Sequence, residues 1–234
     1  MKKDKTLYIM IFGLFAVYVT LIILAFYNLE NYSSINASTA NDVTVVLDAG
    51  HGGEDGGAVS NGIIEKNINL SITKKLGTLL KSAGFNVKYT RNSDIMLNDE
   101  GSTLRERKVS DMKNRLSMFN CNENNVVISI HQNKFTQESY SGTQIFYSPN
   151  NENSAKLSEA IRKNTVALLQ PQNKRETKKA DRGIYLLYNT TAPAVLVECG
   201  FISNAQEALK LNDNDYQNKI AFAVFSGFLE YYNE

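Results

Sequence analysis

Histidine and cysteine are both scarce in this chain of 234 residues, with two of each. Cys121 and Cys199 lie in no C-x-x-C arrangement, which leaves a thiolate zinc site without support. A domain of this size does not need a disulfide, so both are expected as buried free thiols. Excess charge of one sign is also lacking. Against 25 Lys and Arg stand 24 Asp and Glu, a formal net charge of +1. No long-range field then argues for nucleic acid or any strongly charged partner. Low-complexity tracts, heptads and internal repeats are missing, so no duplicated wall-binding module is present. What is present is an apolar share of 43%, ample for one buried core plus an appendage.

The appendage is N-terminal. MKKDK carries three lysines, and residues 7–27 carry no charge. A run of about 21 residues is long enough to cross roughly 30 Å of hydrocarbon as a helix, with the lysines kept on the cytoplasmic side. The expectation is a transmembrane anchor over 1–27, a polar linker over 28–42 and an extracytoplasmic catalytic domain over 43–234. The competing reading is a cleaved signal peptide and secretion. Ser38, Thr39 and Ala40 have suitable small side chains, although they lie about a dozen residues past the apolar run.

From Val43 onward two periods alternate. VTVVLD reads as a buried strand. EKNINLSITKKLGTLLKSAG then repeats Ile68, Ile72, Leu76, Leu79 and Leu80 at helical spacing, with Gly84 as a stop. FNVKYTR reads as a strand, 104–119 as a charged helix, NNVVISIH and TQIFYS as strands, and 153–169 as a helix. The short run IYLL and the apolar run AVLVEC read as strands before a closing helix over about 215–231. This alternation predicts an α/β fold in which a mixed, mostly parallel sheet is sandwiched by helices.

In such sheets chemistry collects beyond the carboxyl ends of the strands. His51 follows VTVVLD inside the glycine-rich loop GHGGEDGGA, His131 ends VVISI, and Glu198 ends AVLV, while Glu65 opens the first helix near the same edge. Each has a plain alternative. A histidine in a glycine loop is often only a turn residue, one after an apolar strand is often a satisfied core residue, and a carboxylate at a helix start is favoured by the macrodipole. Glu198 is hardest to dismiss, because a carboxylate in a buried strand is costly unless it is paired or bound to metal. Two imidazoles and one carboxylate make a three-ligand zinc site with an open position, and the second carboxylate is left as a base. The helical H-E-x-x-H spacing is absent.

GHGGEDGGA, NGIIEKNINLSI, SIHQN and PAVLVECGFISNAQEA, in that order, resemble the zinc-dependent N-acetylmuramoyl-L-alanine amidases. Within them the chain is similar to the short, membrane-anchored CwlD-type amidases of spore cortex formation and germination. The resemblance spans Val43 to Tyr232. It implies a sheet of about six strands, His51, Glu65 and His131 as Zn2+ ligands, and Glu198 as the catalytic carboxylate. Its implied reaction is hydrolysis of the amide between the lactyl group of N-acetylmuramic acid and L-alanine of the peptidoglycan stem peptide, the step before muramic-δ-lactam formation.

Three positions depart from the family pattern. Gly56 stands where proline is common, which should loosen the first metal loop, and Gln132 and Lys134 flank Asn133 where small residues are commoner. Asn133 is a candidate substrate hydrogen-bonder, whereas Arg91 reads equally as a structural salt-bridge donor. Competing functions are a zinc peptidase cutting within the stem peptide and a catalytically silent peptidoglycan-binding membrane protein. Because no segment reads as a plug for the site, restraint is expected from the anchor, from timing, or from an accessory protein that affects zinc binding.

Overall fold

The computed structural model describes residues 17–20, 22–23 and 42–234, and the chain divides into two units, Met1–Ala40 and Asn41–Glu234. The expected transmembrane helix is corrected: among the described residues, no helix is long and apolar enough to cross a membrane. Of residues 7–27, those described are 17–20 and 22–23, all helical. The rest of that stretch, and the linker up to residue 41, lie outside the described residues. An uncharged run meets a length criterion, but crossing requires one continuous apolar helix of about 20 residues.

The second unit is built on eight strands and six helices. They run β1 (Thr44–Ala49), β2 (Val59–Ser60), β3 (Ile63–Ile64), α1 (Glu65–Ser82), β4 (Asn86–Tyr89), α2 (Leu104–Asn120) and β5 (Asn125–Asn133). Then come β6 (Gln144–Tyr147), α3 (Asn153–Leu168), β7 (Lys178–Lys179), α4 (Tyr185–Asn189), β8 (Ala194–Phe201), α5 (Ala205–Leu211) and α6 (Asn214–Asn233). Six strands form one sheet in the order β4-β1-β5-β8-β6-β7, and β2 pairs with β3 in a small separate hairpin. All sheet pairings are parallel except β6 with β8. Strands buried on both faces need unbroken apolar runs, and Val45–Leu47, Val126–Ile128 and Ala194–Val197 supply them.

Helices α1, α3 and α6 pack together over the sheet, and α2 packs with α4 against β1, β5 and β8. Helices α2 and α1 start in different ways. Thr103 and Glu106 form a reciprocal capping box at α2, which satisfies two otherwise orphaned donors. Helix α1 has no side-chain cap. Its first amides instead donate to the glycine loop: Glu65 N–H to the Ala58 carbonyl and Lys66 N–H to that of Gly56. The loop is therefore fastened to the helix that carries Glu65.

Two further expectations change. IYLL is not a strand, since Tyr185–Asn189 is helical. A four-residue apolar run carries no usable period. Here Asp181 turns the chain by accepting from Gly183 N–H and Ile184 N–H, and Leu187 packs into a cluster with Phe119, Val127 and Leu196. The sixth strand is instead the short β7. Both cysteines are unpaired, but only Cys199 is buried and Cys121 is exposed.

Candidate active site

Adjacent parallel strands β1, β5 and β8 bring the strand-end residues together. His131 and Glu198 are direct partners across β5 and β8, with a bulge in register after His131. Both strands run slightly past the site, so neither residue is strictly terminal. His51 sits just beyond β1 at φ +61°, a left-handed conformation that is uncommon for any residue but glycine. Two neighbouring glycines are required by closeness. A Cβ on Gly50 would lie 2.2 Å from the His131 ring, and one on Gly57 would lie 2.6 Å from both Glu65 Oε2 and His51 Cδ2.

Glu65 is the hub. Its Oε1 lies 2.9 Å from His131 Nδ1, and its Oε2 lies 3.3 Å from His51 Nε2. The backbone N–H groups of Gln132 and Ala58 donate to the same carboxylate, as does Asn69 Nδ2. Burial alone would raise this carboxyl, but the two imidazoles hold it far below the usual range. On the far side of His51, Nδ1 lies 2.7 Å from Asp55 Oδ2. A carboxylate there accepts from the ring Nδ1–H and so turns Nε2 toward Glu65. Burial lowers the His51 value, but Asp55 and Glu65 outweigh it and lift it to about 9.

One donor atom from each of His51, Glu65 and His131 lies within 4.8 Å of the others. Two imidazole nitrogens and one carboxylate oxygen suit zinc and leave a coordination position free for reactants. Glu198 stands beside this trio. Its Oε2 is buried without a hydrogen-bond partner, and burial pushes its carboxyl up to about 7, opposed by His131 and His51 and reinforced by the Glu65 charge. His51, His131 and Glu198 all line one cavity of about 400 Å3.

Sequence reasoning missed the supports. Arg115, buried at 2% exposure, bonds Asp48, Asp111 and the carbonyls of Ala49 and His51. Arg91 is not among the residues lining the cavity, and its hydrogen bonds go to backbone carbonyls. Its guanidinium binds the carbonyls of Ala49, Gly50, Ser93 and Lys66. Two guanidinium groups thus hold three successive carbonyls of the loop, which gives His51 a fixed backbone. Asp48 also accepts from Thr90 and Ser129. Burial would raise it, yet Arg115 keeps it ionised below the usual range. Asp48 carried the same signal as Glu198, a carboxylate ending a buried strand. Arg115 carried a weaker one, its i, i+4 spacing from Asp111. Asn133 lies beyond the bulge, its carbonyl accepting from Ile202 N–H, and is not among the residues lining the cavity.

Residues 45–230 match the family model described as N-acetylmuramoyl-L-alanine amidase. The chain belongs to this amidase family. Among its relatives is the germination-specific N-acetylmuramoyl-L-alanine amidase of Bacillus subtilis (strain 168), 37% identical over 193 residues that cover 81% of this chain and 80% of that one. Among solved structures, the CwlD amidase from Clostridioides difficile, in complex with the GerS lipoprotein, superposes with a TM-score of 0.78 at 40% identity. That match covers 82% of this chain and 98% of that one. The catalytic domain of CwlV from Bacillus (Paenibacillus) polymyxa var. colistinus gives 0.66 at 30% identity, over 82% and 98% of the two chains. The protein is accordingly an N-acetylmuramoyl-L-alanine amidase, and its substrate bond joins the lactyl group of N-acetylmuramic acid to L-alanine of the stem peptide.

Proposed function

We propose that this amidase is a zinc enzyme of the spore cortex, with His51, Glu65 and His131 as metal ligands and Glu198 as the proton-transfer group. The observation that carries the reading is Glu198 Oε2, buried and unpartnered beside the three-donor cluster. Zinc, when bound, supplies Lewis acidity that polarises a carbonyl and makes water acidic near neutral pH. Glu198 accepts the proton of the attacking water at Oε2 and returns it to the departing alanine nitrogen. A carboxyl held near neutrality by burial is suited to both transfers. Asp55 holds the His51 proton on Nδ1, and Arg115 and Arg91 keep the loop backbone from moving.

Glu198→Gln in the full chain tests the assignment. The variant is expected to keep zinc at one ion per chain and to lose at least about 1000-fold in turnover of muropeptides. Retained turnover would remove Glu198 from the reaction, and loss of zinc would make it a ligand.

A second part of the proposal is an extracytoplasmic accessory protein that favours the metal-loaded form; the relative solved in complex with a lipoprotein supports an accessory partner. The catalytic domain then works outside the cytoplasm, where peptidoglycan lies, and removes stem peptides ahead of muramic-δ-lactam formation. Cortex muropeptides from cells carrying Glu198→Gln are expected to lack the lactam, as mass spectrometry would show.

A further inference from the structure

The cavity beside Glu198 continues past the reacting centre. Leu196 and Glu198 are two residues apart on β8, so strand alternation turns both to the same face of the sheet. Both line the cavity, together with Met112 and Phe119 of α2 and with Ile184 and Leu186 at α4. Phe119 and Leu196 are buried and form a floor. Met112, Ile184 and Leu186 are partly exposed and form walls. Phe119, Leu196, Ile184 and Leu186 belong to one apolar cluster, so the cavity that holds His51, His131 and Glu198 also carries an aliphatic and aromatic slot, alongside Lys108, Asp111 and Arg115 in its lining.

We propose that Met112, Ile184 and Leu186, over the Phe119 and Leu196 floor, form a subsite for a methyl group flanking the scissile amide. The inference rests on the amidase activity, because that bond has a methyl on each side. The lactyl methyl is two bonds from the carbonyl carbon, and the alanine methyl is two bonds from the nitrogen. A sugar hydroxyl or stem carboxylate placed against these five side chains would lose its water without finding a partner. A methyl gains by the same transfer. A substrate carbonyl beside Glu198 thus presents two methyls of suitable chemistry, one on each side of the bond, and the one that the slot holds sets the roll of the amide against the base.

The test uses the zinc-loaded full chain and four substrates: the parent, one with glycine for L-alanine, one with a glycolyl ether in place of lactyl, and one with L-valine for L-alanine. Removal of the methyl that the slot holds is expected to lower kcat/KM about 10-fold, while removal of the other has little effect. The glycine and glycolyl arms identify which methyl it is. Met112→Ala and Ile184→Ala are each expected to shrink that ratio below about threefold, and if the alanine methyl is the occupant they admit valine better. Turnover of both methyl-less substrates within about twofold of the parent overturns the subsite, as does a ratio unchanged in both variants. Kd values for the same substrates on Glu198→Gln separate this proposal from the mechanism. A methyl preference in binding without turnover by the parent enzyme sinks the mechanism and keeps the subsite, whereas turnover without preference sinks the subsite alone.

Discussion

At the scale of single residues, the site works through contrasts between carboxylates. Glu65, set between two imidazoles, stays ionised, while Glu198 a strand away is pushed up to about 7 by burial. The sign of the second shift gives a stability prediction for protein stripped of metal. A carboxyl raised above its unfolded value of 4.5 costs nothing while both states are protonated. Its penalty grows as pH rises through that value and is complete above the folded value. Glu198→Gln removes the penalty, so thermal melts should show no gain at pH 4 and a gain of roughly 1–3 kcal/mol at pH 8. An equal gain at both pH values would mean that burial of the charge is not its source. Asp55→Asn should release the His51 tautomer and weaken zinc affinity about 10- to 100-fold, read by competition with a chelating dye. Gly56 needs no left-handed backbone, and a Cβ there meets only Ile64, at 3.4 Å. Gly56→Ala should therefore be neutral or stabilise by up to about 1 kcal/mol, measured by denaturant melts.

At the scale of elements, α2 links stability to function. Its start rests on the exposed capping box of Thr103 and Glu106, and its middle delivers Arg115 to the loop carbonyls. Thr103→Ala should lower stability by about 1 kcal/mol and leave turnover intact, because neither Thr103 nor Glu106 lines the cavity. Arg115→Met is different in kind. It leaves Asp48 as a buried, unpaired charge and should cost about 3–5 kcal/mol, with much of the loss recovered in the double variant carrying Asp48→Asn. Equilibrium denaturation of the four proteins checks the cycle, and simple additivity would show that the two groups are not coupled.

At the scale of the whole molecule, the proposed ligands come from three separate elements: the loop after β1, the start of α1, and β5. Metal bound between them stabilises the folded state over the unfolded one. Removal of zinc should lower Tm by an amount that grows with the logarithm of the zinc originally free, and His51→Ala should abolish that dependence. Glu207, buried within α5, accepts from the N–H groups of Gly142 and Phe201 and so ties the end of β8 to the segment before β6. A Tm in zinc equal to that in chelator would contradict a metal held across elements.

The sequence by itself determined the α/β alternation, the strand ends that carry His51, His131 and Glu198, and the chemistry that those residue types share. These follow from periods of 2 and 3.6 and from the cost of burying charge, both of which are local properties. Tertiary structure alone decided the rest. IYLL became helix because a four-residue run has no period of its own and packs where Phe119 and Leu196 leave room. Arg115 and Arg91 became clamps because their partners are backbone carbonyls some 64 and 41 residues distant in sequence, and carbonyls carry no residue identity to read. The apolar run near the N-terminus met the length of a membrane span, but no described helix does. A span requires one continuous apolar helix of about 20 residues, and the described residues contain none.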